Sequence, residues 1–168
     1  MLKRLIWITR ITWIGLANVV LRALMLLFPS QVNRYFSWFG FLPLITHVTF
    51  WLGYGILVHK DQPLIKYSAL VNGTLAVLVS TFIYEFCSFV FLWTFLTKGI
   101  KVIRMTAALY GAWLILALIW DCMSLITPGN LLSAVFPVFP ILQILMCTPF
   151  FITLIRVQKV SMQSEASN

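Results

Sequence analysis

The sequence predicts an all-α integral membrane protein, a helical bundle of four transmembrane helices plus one further N-terminal helix. Three observations predict this class: 61% of the 168 residues are hydrophobic, only 10% are charged, and the apolar residues form long runs. Soluble domains contain about 45–50% apolar and about 25% charged residues. A chain with so little polar surface needs lipid around most of its length, so the lipid bilayer is its first expected partner.

Four apolar runs are long enough to cross a bilayer, which takes about 20 helical residues. We predict spans at about 39–58, 67–97, 106–126 and 137–155. The second run corresponds to about 46 Å of helix, so we expect it to tilt or to project from a hydrocarbon core of about 30 Å. The spans form a single transmembrane domain over 1–160, and the polar residues 161–168 are predicted to be a disordered tail.

Residues 5–28 leave two alternatives open, an amphipathic helix in the membrane interface or a fifth span. If they do not cross, all Lys and Arg residues except Lys60 and Lys66 share one side of the membrane. If they cross, these charges are divided almost equally, and Arg22 lies in lipid. The positive-inside rule favours the first alternative and places both termini in the cytoplasm. The plasma or inner membrane is favoured over an organelle.

The charged and sulfur-containing residues exclude several classes of function. The net charge of +8 comes from Lys and Arg residues scattered between apolar runs, which is typical of membrane-flanking positions and not of a nucleic-acid-binding stripe. The three cysteines form no C-x-x-C pair, and the sequence contains no catalytic, cofactor-binding or metal-ligating motif. We therefore predict no catalytic residue, no cofactor and no metal, and we favour a non-enzymatic protein.

Glu85 is the polar residue that stands out most, because it lies near the middle of the second run. A carboxylate at that depth costs several kcal/mol unless it is paired or protonated. Thr81 and Ser88 fall on the same helical face, which indicates that this face turns away from lipid. Glu85 is either a proton-carrying or cation-binding group or a structural hydrogen-bonding group. Arg22 is a candidate counter-ion if residues 5–28 do cross.

Two further polar residues extend this hypothesis to a tentative binding cavity. Asp121, near the end of the third run, is either a second acidic group of the same site or a carboxylate that reaches the headgroups. His47 lies in the middle of the first run, with Trp51 and Tyr54 on the same face. The predicted cavity therefore consists of Glu85, Asp121, His47, Tyr54 and Trp51.

A group of small residues on the third run predicts close helix packing. Ala107, Ala108, Gly111 and Ala112 form two overlapping small-xxx-small pairs, which let a second backbone approach. The function we favour is that of a small accessory, assembly or protective subunit, which packs against other membrane proteins or against further copies of itself. The alternative, from a different class, is a membrane-embedded protein that binds small molecules or lipids, a transporter or an isomerase-like enzyme, using the tentative cavity.

Overall fold

A computed structural model describes residues 2–28, 41–58, 62–75, 81–126 and 138–167, while the side chains at 41, 75, 81–85 and 124–126 lie outside that description. These ranges contain six α-helices: α1 (Leu2–Leu27), α2 (Phe41–Leu57), α3 (Pro63–Leu75), α4 (Thr81–Lys98), α5 (Lys101–Ile126) and α6 (Val138–Ala166). The all-helical class is confirmed for them. Three stretches are long and apolar enough to cross a membrane, namely Leu2–Leu27, Lys101–Met123 and Val138–Ala166.

The six helices form a closed ring in chain order. Each helix packs against the next one along the chain, and α1 also packs against α6. Neighbours run in opposite directions, as α2 and α3 show: Gly55 lies against Leu70, and Leu52 lies against Gly73. Each helix satisfies most of its backbone hydrogen bonds internally, and antiparallel neighbours need only short connections between them.

The N-terminal helix α1 is one of the six members of this ring. Near its start, the Arg4 guanidinium donates a hydrogen bond to the carbonyl oxygen of Leu57, and further along Asn18 Nδ2 donates to Thr46 Oγ1 at 2.9 Å. Because these contacts lie at opposite ends of α2, α1 runs alongside that helix. An amphipathic helix in the interface would lie across the ends of its neighbours. The packing of α1 therefore agrees with the alternative of an additional membrane helix.

The long second run does not form the single continuous helix that we expected over 67–97. It is divided between α3 and α4, which pack side by side, with Asn72 Nδ2 donating to Ser88 Oγ at 2.9 Å. In one straight helix these residues, 16 positions apart, would be separated by about 24 Å.

The last helix is longer than the predicted fourth span. α6 continues through Ala166, and the amide of Ser167 still donates to the carbonyl oxygen of Gln163 at 3.2 Å. The tail expected to be disordered from residue 161 is therefore helical as far as Ala166. Its sequence contains neither Gly nor Pro, so no residue interrupts the helix that the apolar span begins.

Aromatic side chains fill the centre of the ring. Phe91 of α4 is fully buried, and its ring centroid lies 5.2 Å from that of Phe95 and 6.4 Å from that of Phe50. Phe150 and Phe151 of α6 complete the cluster, with Phe50 and Phe151 at 5.4 Å. These separations and the predominance of edge-on geometry are typical of well-packed aromatic cores.

Candidate functional site

The α2 residues of the tentative cavity come together within the aromatic core. His47, Trp51 and Tyr54 are 3%, 2% and 5% exposed. The ring centroids of His47 and Trp51 are 6.1 Å apart, and Phe91 lies 4.9 Å from Trp51 and 5.4 Å from Tyr54. The predicted shared face of these residues is therefore a packing face, and Phe91 occupies the space in front of Trp51 and Tyr54.

The two acidic residues of the tentative cavity belong to the helices α4 and α5. Asp121 is half-buried in the last two turns of α5, next to Trp120, whose ring lies 4.8 Å from that of Phe139 at the beginning of α6. Glu85 belongs to α4, but its side chain lies outside the described residues. The convergence of Glu85 and Asp121 with His47 stays a prediction.

Arg22 brings a positive charge into the half of the bundle that holds His47. It is half-buried on α1, close enough to His47 and Cys147 for its charge to act on both. The pairing of Arg22 with Glu85 depends on residues 5–28 crossing the bilayer, and α1 is one of the three described helices that are long and apolar enough to do so. The pair itself stays a hypothesis.

Sequence reasoning overlooked the hydrogen bonds that join the helices. Asn18 Nδ2 donates to the carbonyl oxygen of Pro43 at 2.6 Å as well as to Thr46, and Thr12 Oγ1 donates to Gln158 Oε1 at 3.2 Å. The signal was available, since an amide side chain within an apolar run needs an interhelical partner. These bonds align α1 with α2 and α6.

Two buried oxygens have no hydrogen-bond partner among the described residues. They are Gln143 Oε1 on α6 and Thr94 Oγ1 on α4, each in a residue that is 8% exposed. Such oxygens are uncommon, because most buried polar atoms have a hydrogen-bond partner.

The small residues of α5 divide between its two faces. Ala107 is fully buried and Gly111 is also buried, with Phe89 of α4 as the nearest side chain to an added Cβ at 3.8 Å. Ala108 and Ala112 are exposed on the outer surface of the ring. One small-xxx-small pair therefore serves the contact with α4, while the other faces outward.

Neither a metal site nor a known relative defines a function. Within the ranges that the structure describes, no three His, Cys, Asp or Glu side chains are grouped so that they could hold a metal ion. Compared with models of protein families, with curated proteins and with solved structures, the chain matches none of them.

Proposed function

We propose that this is a multi-pass membrane protein in which all six helices cross the bilayer and both termini face the cytoplasm. The antiparallel ring supports this, because α1 and the shorter helices α2, α3 and α4 lie alongside α5 and α6. At about 1.5 Å per residue, the 17 residues of α2 and the 18 of α4 extend for about 25 Å and 27 Å, while the 13 described residues of α3 extend for about 20 Å. The lengths of α2 and α4 are close to the thickness of a hydrocarbon core of about 30 Å.

The distribution of positive charge supports the orientation. Because alternate helices run in opposite directions, the start of α1, α3 and α5 and the end of α4 and α6 all meet at one end of the ring. We call this the basic end. It holds most of the described Lys and Arg residues: Lys3, Arg4, Arg10, Lys66, Lys98, Lys101, Arg104, Arg156 and Lys159. Among the described residues, Arg22 alone lies in the half of its helix that approaches the other end.

Reporter fusions test this topology. A reporter inserted after residue 32 should lie on the opposite side of the membrane from reporters at the two termini, because α1 crosses. Finding all three reporters on the same side would return α1 to the interface and would contradict the proposal.

Within that topology, the protein acts by packing against another membrane helix through the outer face of α5. The outward pair of Ala108 and Ala112 carries this proposal, because small residues let a second backbone come close and gain dispersion contacts. The aromatic side chains that fill the centre of the ring also support the helix-packing function. A transporter would need a path for its substrate there, and the described core is occupied by side chains. The class of function is that of an accessory or assembly subunit.

A photo-crosslinking amino acid at position 112 tests the helix-packing function in native membranes. We expect an adduct larger than the protein by the mass of another polypeptide, and we expect Ala108→Phe to abolish it by keeping the partner backbone away. The matched control carries the crosslinker at position 56, since Ile56 is 70% exposed on α2. Only lipid-sized adducts at both positions would contradict the function.

A further inference from the structure

The outer face of α5 continues beyond the alanine pair in both directions along the helix. Its members follow one another at spacings of three or four residues, and all of them are exposed: Lys101, Arg104, Ala108, Ala112, Ile115 and Ile119. The face is flat at the two alanines and bulky at Ile115 and Ile119, which are 51% and 53% exposed. At the basic end it carries two positive charges, so a helix packed against the alanines also meets these two cations.

The two cations lie close to the place where a partner backbone comes nearest. At about 1.5 Å per residue, Arg104 lies about 6 Å and Lys101 about 10 Å along α5 from Ala108. Helical side chains point towards the start of their helix, so both cations extend towards the basic end. There they are next to the part of a partner helix that reaches the same membrane surface.

Neither charge is compensated by the described part of the chain. Among the described residues, Lys101 and Arg104 have no ion-pair partner, and the first turn of α5 contains no acidic residue. The positive end of the helix dipole lies at the same place and strengthens their field. The chain contains 12 Lys and Arg residues but only four Asp and Glu residues. A carboxylate from another protein would therefore be stabilised at this position.

A second copy of this chain does not supply such a carboxylate. A copy with the same orientation in the membrane, packed against Ala108 and Ala112, would place its own Lys101 and Arg104 beside those of the first. Like charges that face each other across an interface are unfavourable. The charge pattern of the outer face of α5 therefore favours a different protein over a homodimer.

We propose that the partner is a transmembrane helix of another protein, with Asp or Glu residues in the two turns nearest the cytoplasm. These carboxylates lie next to Lys101 and Arg104, and small residues of the same helix lie opposite Ala108 and Ala112. Opposite charges across an interface fix the register of the two helices and help to exclude other partners. The inference rests on the proposed helix-packing function and adds to it the chemistry of the partner.

Two synthetic transmembrane peptides test this chemistry with the purified full-length protein in phosphatidylcholine vesicles. Both are Ala–Leu helices with two glycines four positions apart at the centre. One carries two Glu residues, four and seven positions before the first glycine, and the other carries Gln at the same positions. Energy transfer between labels on the peptide and on the protein measures binding. We expect the Glu peptide to bind about fivefold more tightly than the Gln peptide, as exposed ion pairs allow.

Three variants locate the interaction. Lys101→Gln with Arg104→Gln should abolish the preference for the Glu peptide while the Gln peptide still binds. Lys159→Gln is the matched control, at an exposed position of the basic end on α6, and should keep the preference. Ala108→Phe should prevent binding of both peptides.

Four outcomes would overturn the inference. They are equal binding of the two peptides by the wild type, a preference that survives in Lys101→Gln with Arg104→Gln, self-association of the protein that Ala108→Phe removes, and loss of the preference when phosphatidylglycerol is added to the vesicles. The third would identify a homodimer, and the fourth would assign the two cations to lipid headgroups. Failure of the helix-packing function would show instead as binding of both peptides that Ala108→Phe leaves unchanged, so the two failures are distinguishable.

Discussion

Gly15 of α1 lies against both α2 and α6. A Cβ atom at this position would come within 2.6 Å of Phe50 on α2 and within 2.6 Å of Phe151 on α6. Both rings are only 2% exposed at most, and each is held by further aromatic neighbours, so neither can move aside easily. The absence of a side chain at Gly15 is therefore what lets α1 fit between α2 and α6.

Gly15→Ala should destabilise the folded protein by about 1–3 kcal/mol, because the added methyl group overpacks a filled core. Gly111→Ala is the matched control, since its nearest described side chain is at 3.8 Å and alanine favours a helix by up to about 1 kcal/mol. Thermal unfolding in detergent would measure both. Equal melting temperatures for the two variants would contradict the tight packing around Gly15.

For individual residues, the sequence predicts which side chains are buried. It does not predict which side chains from other helices they contact. The shared face of His47, Trp51 and Tyr54 was predicted, and it is buried. Its contact with Phe91 was not predictable, because that residue comes from a different helix and the long aromatic series around it has no single-face pattern. Phe91 packs against Trp51 and Tyr54 in the described core, and the cavity that includes Glu85 and Asp121 stays a prediction.

At the scale of helices, the pairing of α3 with α4 is the main difference between the predicted and the observed structure. The sequence of residues 67–97 gave no sign of a break, because positions 76–80 contain neither Gly nor Pro and no charge. The length of the run is the only other guide to its structure, and its roughly 46 Å of helix predicts one tilted span. The structure resolves the excess length differently, with two helices that share the Asn72–Ser88 hydrogen bond.

A cysteine pair distinguishes the two arrangements of this stretch. The background protein has its three native cysteines replaced by alanine. In it, Asn72→Cys with Ser88→Cys should crosslink readily, because Asn72 Nδ2 and Ser88 Oγ are 2.9 Å apart in the native protein. Val71→Cys with Ser88→Cys is the control, because Val71 is 41% exposed on a neighbouring face and should react more slowly. A continuous helix would hold positions 72 and 88 about 24 Å apart, and no crosslink would form.

For the whole molecule, the division of 67–97 changes the count of charges on each side of the membrane. With one helix there, a crossing α1 separates Lys3 and Arg4 from Lys98 and Lys101, which is why the sequence favoured an interfacial α1. With two helices there, a crossing α1 brings all four to the basic end. The positive-inside rule favours an interfacial α1 when it is applied to one helix over 67–97, and it favours the crossing α1 that we propose when it is applied to α3 and α4.

Closure of the ring joins the two ends of the described chain, and a crosslink can test it. Thr12 and Gln158 are 146 positions apart in sequence but share a hydrogen bond of 3.2 Å between α1 and α6. In the same cysteine-free background, Thr12→Cys with Gln158→Cys should form an intramolecular disulfide in membranes, seen as faster migration in a non-reducing denaturing gel. Trp13→Cys with Gln158→Cys is the control, since Trp13 is 49% exposed about 100° around the helix. A helix lying flat in the interface would keep residue 12 beyond the reach of α6, so the absence of this disulfide would contradict the six-helix ring.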